Sequence, residues 1–175
     1  MFADTDRALE WAEDRLIARE RAAEAGGDGL PLERLDVLAG LSEAERAVLL
    51  SLLSRRHYAK GEVVFREGDK SRELFIITNG AASVKIRLSG HQREHRLATF
   101  SAGTVFGEVA LLDEQPRSAT VEADEALVCR VLTEQAFEAL SREHPSIAIA
   151  LLANIGRELG RRLRRANATI YQLES

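Results

Sequence analysis

The spacing of apolar side chains divides the chain into a helical start, a strand-rich middle and a helical end. Residues 4–25 are highly charged with apolar positions at helical spacing, which predicts an amphipathic helix with a narrow apolar stripe. The GGDGLP segment at 26–31 interrupts this spacing and is typical of a linker. Helical spacing resumes over 32–53 in two pieces, and Ser42 is the expected N-cap of the second.

The period of the pattern changes at His57. Short apolar runs follow, separated by glycines every four to thirteen residues: Gly61, Gly68, Gly80, Gly90, Gly103 and Gly107. Short strands with regular turn signals predict an antiparallel barrel or jelly roll. Two more strands are expected after Pro116, at 118–123 and 126–132.

Helical spacing returns at Thr133, is interrupted at Pro145 and continues as one long helix to about Gln172. The order is helices, about eight strands with one short helix among them, then helices. This order predicts an α+β fold, an eight-stranded antiparallel β-roll (jelly-roll-like) flanked by N-terminal and C-terminal helices. We divide the chain into a helix with its linker at 1–31 and the roll with its helices at 32–175.

Composition narrows the class of protein. The chain has 45% apolar and 30% charged residues, which is ordinary for a soluble globular protein, and its net charge of −4 creates no field that would attract nucleic acid. The longest apolar run, 147–153, is far shorter than the ~20 residues that span a bilayer, and the N-terminus lacks a secretory h-region. The single cysteine, Cys129, lies in an apolar stretch and is expected to be a buried structural thiol. These features predict a cytoplasmic location.

Residues 105–121, VFGEVALLDEQPRSATV, carry the candidate chemistry. A short helical turn entered through Gly107 would offer free backbone N–H groups to a phosphate, and the Arg117 guanidinium could bond the same anion. Ser118 adds a donor, and the small Ala119 keeps space open. Glu108 would repel a phosphate, but a carboxylate beside a phosphate site commonly accepts a sugar hydroxyl. Together these groups indicate a nucleotide.

A simpler interpretation of the same residues is also open. Glu108 and Arg117 are nine residues apart and could form a salt bridge with each other, without any ligand.

The stretch closely resembles the phosphate-binding cassette of the cyclic nucleotide-binding domain family. That cassette has Phe-Gly-Glu, an apolar residue, Ala-Leu, a variable loop, then Pro-Arg, a small residue, Ala and Thr, and 106–112 and 116–120 match it in register. The resemblance covers about 38–155 and implies the family's β-roll with C-terminal B and C helices. It implies Glu108 on the ribose 2′-hydroxyl and Arg117 on a phosphate oxygen. The full set of ligand-binding residues it implies is Gly107, Glu108, Val109, Ala110, Arg117, Ser118, Ala119, Val84 and Ala98, the last two bordering the base.

The long C-terminal helix contains a basic run from Arg157 to Arg165. Most such runs are solvated helix faces, and the helix-turn-helix domain that follows this sensor in transcription factors is not present by Ser175, so DNA binding is disfavoured. We expect part of this helix to fold over the base as a lid, and Gly156 and Gly160 to form a hinge, although two glycines four apart equally suit close helix packing. The lid residues would be Arg157, Glu158, Arg161 and Leu163.

Other motifs are weak. His91 and His95 lack the spacing of a cupin-type metal site, so no metal cofactor is expected. No Walker loop, dinucleotide fingerprint or Ser/His/Asp set is recognisable, so the chain is not expected to be an enzyme.

The identity of the regulated protein is suggested by residues 4–20, DTDRALEWAEDRLIARE. They resemble the closing helix of the STAS domain of SulP-type anion transporters, some bacterial members of which carry a cyclic nucleotide domain. This implies a regulatory domain at the cytosolic face of the inner membrane. The alternatives are the regulatory tail of a soluble enzyme such as a glutaminase, and a ligand-free β-roll that mediates protein contacts. We expect cAMP rather than cGMP as the ligand, because family members that favour cGMP often have Thr at the position of Ser118. The sequence also leaves open whether the protein forms a homodimer.

Overall fold

The computed structural model describes residue 30, residues 35–87 and residues 94–173. The predicted N-terminal helix at 4–25, most of the linker, the boundary at 31 and His91 lie outside the described residues, so those expectations stay predictions. None of the described helices is long and apolar enough to cross a membrane.

The described chain begins with helices and passes into strands. A 3-10 helix at Asp36–Leu38 precedes helix α1 at Glu43–Ser51. The strands are β1 Ser54–Tyr58, β2 Val63–Phe65, β3 Leu74–Asn79, β4 Ala81–Arg87, β5 Glu94–Ser101, β6 Val105–Phe106, β7 Thr120–Ala123 and β8 Leu127–Leu132. The remaining helices are α2 Glu108–Asp113, between β6 and β7, then α3 Glu134–Glu143 and α4 Pro145–Leu173.

The eight strands form two four-stranded sheets, ordered β1-β8-β3-β6 and β2-β7-β4-β5. Every pairing between them is antiparallel. The predicted α+β fold with an eight-stranded antiparallel β-roll and flanking helices is therefore confirmed.

Local signals in the sequence explain most of the helix starts. Ser42 accepts a hydrogen bond from the amide of Glu45, and the Glu45 carboxylate accepts one from the amide of Ser42, which is a complete capping box. Thr133 caps α3 by accepting from the amide of Ala136 at 3.2 Å. Both helices therefore begin where the sequence predicts.

Strand boundaries differ from the predicted ones by a few residues. β1 begins at Ser54 rather than near His57, because Ser54 pairs with Val131 at the end of β8. β7 begins at Thr120 rather than 118, because the backbone of Arg117 is bonded to Gly68 and Asp69 in a neighbouring turn. In both cases the partner strand, which is distant in sequence, decides the boundary.

Two apolar clusters hold the roll and the helices together. One fills the space between the sheets and includes Phe65, Phe75 and Phe106, with the rings of Phe75 and Phe106 stacked at 5.0 Å. The other packs α3, α4 and the N-terminal helices against the outside of the roll, through residues such as Leu38 and Ile155. The segment from β6 to α2 lies between the two clusters, since Phe106 belongs to the first and Val105 to the second.

Candidate functional site

Gly107 makes the sharp turn from β6 into α2. Its φ is +79°, in the left-handed region that glycine adopts without strain. A Cβ at this position would lie 2.7 Å from Arg117 Nη1 and 2.7 Å from the carbonyl oxygen of Glu73, closer than a real Cβ approaches other atoms. Glycine is therefore required both for the backbone conformation and for the close approach of Arg117.

Arg117 is almost fully buried against this turn. Its Nη1 donates to the carbonyl of Gly107 at 2.8 Å, its Nη2 to the carbonyl of Glu73 at 2.8 Å, and its Nε to Ser71 Oγ at 3.2 Å. The guanidinium also lies 4.1 Å from the centre of the Phe65 ring. Burial lowers the pKa of Arg117, although an arginine stays protonated in proteins. Arg117 thus has a structural role in holding the turn, and it places a positive charge beside the start of α2.

Glu108 is the first residue of α2 and is only 5% exposed. Its Oε1 accepts a hydrogen bond from Arg162 Nη1 at 3.2 Å, an ion pair with α4. Burial raises the pKa of the Glu108 carboxyl, and the positive charges of Arg162 and Arg117 oppose this rise. The simpler interpretation from the sequence, a salt bridge between Glu108 and Arg117, is not what the structure shows. Glu108 pairs with Arg162, and Arg117 bonds to backbone carbonyls.

The other predicted cassette residues surround the same turn with small or exposed side chains. Ala110 and Ala119 are buried, and Ser118 is exposed next to Arg117. Val109 is 39% exposed on the first turn of α2. Apart from Glu108 and Arg117, the predicted cassette residues therefore have small side chains.

Val84 and Ala98, the residues expected to border a base, are direct neighbours across β4 and β5. Val84 is half-buried, and Ala98 is exposed. On its other side Val84 pairs with Val121 of β7, the strand that follows the cassette. The sheet thus places a small apolar surface on the strands next to the cassette.

The four predicted lid residues lie on α4, and the hydrogen bonds they form go to α4 itself and to the 3-10 helix rather than to the cassette. Arg157 donates to Asn154 Oδ1, and Arg161 bonds to Glu158 and to Asp36 at the 3-10 helix. Leu163 is 62% exposed. Whether these residues cover a ligand stays a prediction.

Among the described residues of α4, the one that hydrogen-bonds to a cassette side chain is Arg162, which the sequence did not single out. Besides Glu108, its guanidinium bonds to the carbonyl of Val105 and to Glu158 Oε1, and lies 5.0 Å from the centre of the Phe100 ring. Arg162 is one of five arginines within nine residues of the chain, so no sequence signal distinguishes it. Only the rotation of α4 on the roll does so.

The two glycines of α4 do not mark a close helix crossing. A Cβ at Gly156 would meet no atom within 4 Å, and one at Gly160 would meet only Arg164 Nη1 at 3.5 Å. The helix continues through both positions. Packing therefore gives no reason for these glycines, and the predicted hinge stays open.

A cavity of about 260 Å³ lies against the same part of α4. No residue of the cassette turn lines it, so it is separate from the predicted phosphate site. Its walls come from the 3-10 helix, the turn before β6 and α4: Asp36, Val37, Ala102, Gly103, Thr104, Val105, Asn154, Ile155, Glu158 and Arg161.

The sequence pattern of the cyclic nucleotide-binding domain matches residues 55–144, which is more than half of the chain and includes the whole cassette. The chain belongs to the cyclic nucleotide-binding domain family. The domain is thus a regulatory, cyclic nucleotide-binding module, and its β-roll is that of the family.

Several kinds of longer protein contain a stretch that is similar to this domain. It is 38% identical to Glutaminase 2 of Bradyrhizobium diazoefficiens over 174 residues, 99% of the chain but 27% of that protein. It is 35% identical to the Cyclic AMP receptor protein of Thermus thermophilus over 129 residues, 73% of the chain and 57% of that protein. The crystal structure of the catabolite activator protein of Thermus thermophilus superposes with a TM-score of 0.67 at 32% identity, covering 79% of the chain and 63% of that structure. The chain spans about a quarter of the length of the glutaminase it matches.

Proposed function

We propose that the domain binds cAMP at the cassette and regulates a larger protein to which it belongs. The observation that carries this proposal is the arrangement at Gly107. The turn places the first amides of α2, the buried Arg117 charge and the buried Glu108 carboxylate side by side. A phosphate needs the first two, and a ribose hydroxyl needs the third.

The groups around the turn divide into three contacts. The amides of 107–110, Arg117 and Ser118 would hold the cyclic phosphate. Glu108 would accept a hydrogen bond from the ribose 2′-hydroxyl, which a carboxylate does best when it is ionised. Val84 and Ala98 would pack against the base, whose flat apolar face suits small side chains.

The choice of cAMP over cGMP rests on Ser118 and on a relative. Family members that favour cGMP often carry Thr at this position, and this domain has Ser. A protein that covers most of the domain at 35% identity is named as a receptor for cyclic AMP.

The proposal for the regulated protein rests on how much of the chain the similarity to Glutaminase 2 covers. The match to Glutaminase 2 covers 99% of the chain and so extends through nearly all of 1–31, which the pattern of the binding domain alone does not include. This favours an enzyme of the glutaminase kind as the regulated partner. The resemblance of residues 4–20 to the STAS end of SulP-type transporters supports the second candidate, an anion transporter.

Isothermal titration of the purified chain with cAMP, cGMP and 2′-deoxy-cAMP tests the binding proposal. We expect cAMP to bind more tightly than cGMP, and more tightly than the 2′-deoxy analogue because the latter cannot bond to Glu108. Ser118→Ala should weaken cAMP binding by roughly tenfold to a hundredfold, because a hydrogen bond to the anionic phosphate is worth about 1.5–3 kcal/mol. Ser118 is a better choice than Arg117 because Arg117 also holds the fold of the turn.

The matched control is Ser51→Ala, which removes an exposed serine on α1 whose hydroxyl donates to the carbonyl of Val48 in its own helix. It should leave the affinity unchanged. Absence of binding to any cyclic nucleotide at millimolar concentration would reject the proposed function. Equal affinity for cAMP and 2′-deoxy-cAMP would reject the role of Glu108.

A further inference from the structure

Hydrogen bonds fix the segments that enclose the 260 Å³ cavity beside α4. On one side, Asn154 Nδ2 donates to the Val37 carbonyl at 2.9 Å and so holds the 3-10 segment against the helix. On the other side, the turn before β6 is held to β3. The Gly103 amide donates to the Ile77 carbonyl at 2.8 Å, and the Ile77 amide donates to the Thr104 carbonyl at 3.0 Å. The cavity is therefore preformed.

The floor of the cavity is apolar. Val37, Val105 and Ile155 line it, and each is at most 6% exposed and belongs to the apolar cluster outside the roll. Such a floor binds the hydrocarbon part of a ligand, because the contact removes apolar surface from water. The volume of about 260 Å³ is below the roughly 300–1,000 Å³ of sites for drug-sized ligands, so a small metabolite fits it better than a second nucleotide.

The polar part of the lining carries both signs of charge. Arg161 Nη2 lies 3.3 Å from Asp36 Oδ2, and Arg161 Nε donates to Glu158 Oε2 at 2.9 Å. The Asp36 side chain is 82% exposed and that of Arg161 is 41% exposed. An ion pair this exposed is weak, so a ligand can take over either partner at small cost.

These three charged groups select the class of ligand. Two carboxylates and one guanidinium leave a net negative charge, which disfavours a phosphate. A dicarboxylate would face both carboxylates, and a diamine would make no use of the guanidinium. A molecule with one ammonium and one carboxylate uses all three groups, because carboxylates bind an ammonium and a guanidinium binds a carboxylate.

We infer that this cavity is a second ligand site and that it takes a free α-amino acid. The α-ammonium would lie between Asp36 and Glu158, the α-carboxylate would bond to Arg161, and the side chain would pack on the apolar floor. The site goes beyond the proposed function and does not depend on it, since its lining excludes the cassette turn.

Isothermal titration of the purified chain without nucleotide tests the site. The probes are L-glutamine, L-glutamate and L-leucine, which share the α-ammonium and the α-carboxylate and differ in the side chain. We expect at least one of them to bind with millimolar affinity or better. The analogues of that amino acid without the ammonium or without the carboxylate should bind more weakly; for L-glutamine these are glutaramic acid and γ-aminobutyramide. Absence of binding by all three amino acids at tens of millimolar would overturn the inference.

Two variants remove the charged partners one at a time. Asp36→Asn and Arg161→Met should each weaken binding by roughly tenfold to a hundredfold, the value of a hydrogen bond to a charged group. Loss of the ligand's ammonium should then cost less in Asp36→Asn than in the wild type, and loss of its carboxylate should cost less in Arg161→Met, because groups that bond to each other are not additive. A merely structural role of either residue would not produce this dependence on the ligand.

The control variant is Glu43→Gln, which removes an exposed carboxylate from the first turn of α1. It should keep the wild-type affinity. Wild-type affinity in Asp36→Asn and Arg161→Met as well would show that the charged groups of the cavity pair only with each other, and would overturn the inference.

Amide chemical shifts in NMR spectra give the location of the bound amino acid. The amides of Val37, Gly103 and Thr104 should shift on its addition, whereas those of 107–110 should not. Shifts centred on 107–110 would place the amino acid at the cassette and overturn the second site. Because no nucleotide is present, this failure leaves the proposed function intact, and absence of cyclic nucleotide binding in the earlier titration rejects that function alone.

Discussion

At the scale of single residues, the cassette depends on a glycine that brings an arginine and a backbone carbonyl into contact. Gly107 has a left-handed backbone and almost no free space around its Cα, because Arg117 and the carbonyl of Glu73 lie against it. Arg117 in turn bonds to the Gly107 carbonyl. The backbone turn and the guanidinium therefore stabilise each other. Contacts within the protein hold the cassette turn in this geometry without a ligand.

The substitution Gly107→Ala tests how much of this depends on space rather than on backbone conformation. Gly61 has a similar φ of +77°, but a Cβ at that position would meet no atom within 4 Å, so Gly61→Ala measures the effect of backbone conformation alone. We expect Gly61→Ala to lower the free energy of unfolding by about 1–2 kcal/mol. Gly107→Ala should cost roughly 1–3 kcal/mol more, the range for overpacking.

Urea denaturation of both variants at neutral pH measures the difference. Equal losses for Gly107→Ala and Gly61→Ala would mean that Arg117 and Glu73 move aside without cost, and that the turn is looser than the contacts indicate.

At the scale of elements, α4 is the part that joins the site to the rest of the domain. It is one helix of 29 residues, and its first half packs against the outside of the roll through buried residues such as Ile147, Leu151 and Ile155. Asn154 on the same half donates to two backbone carbonyls of the 3-10 segment. The helix is therefore fixed by both an apolar contact and a polar one.

Asn154→Ala should lower the free energy of unfolding by about 2 kcal/mol, because it removes the side-chain donor to the carbonyls of Val37 and Ala39. The gain in helix propensity offsets only part of this loss. Asn167→Ala, at an exposed position further along α4, is the control and should change stability by less than about 0.5 kcal/mol. Urea unfolding checks both values, and similar results for the two variants would show that the Asn154 contacts contribute nothing.

At the scale of the whole molecule, the two sheets close over one core in which β8 is central. β8 pairs with β1 on one side and β3 on the other, and Cys129 in its middle is fully buried. Burial raises the pKa of Cys129 to about 12, so the thiol is protonated at neutral pH. Because the side chain is fully buried, reagents reach it only when the sheet opens. The prediction that Cys129 is buried is confirmed.

Reaction of Cys129 with Ellman's reagent at pH 8 should therefore report global opening of the roll. We expect it to be slower than in concentrated guanidinium chloride by on the order of 10³-fold or more, because core strands open with nearly the full free energy of unfolding. Rapid labelling of the native protein, at a rate near that of the unfolded chain, would show that β8 is accessible through local motion. The chain has one cysteine, so the signal has a single source.

The sequence alone determined the features that depend on neighbours along the chain. The change of apolar period predicted the strands and helices, and Ser42 and Thr133 predicted two helix starts. The cassette was implied by the resemblance of FGE…PRSAT to a known family. The elements could be predicted because capping, turn conformation and period act within a few residues. Boundaries set by a distant partner were off by a few residues, as with Ser54 opposite Val131.

Only the tertiary structure decided which charged groups meet. Arg161 and Arg162 are neighbours on α4 and point about 100° apart around the helix axis, so the rotation of the helix selects which of them reaches Glu108. That rotation is fixed by the apolar contacts of Ile147, Leu151 and Ile155, which are not local to the arginines. The inward position of Arg117 depends in the same way on Phe65, Ser71 and Glu73, which lie more than forty residues away. The sequence therefore showed which charged side chains the site contains. Which of them bond to each other was decided by packing between elements that are distant along the chain.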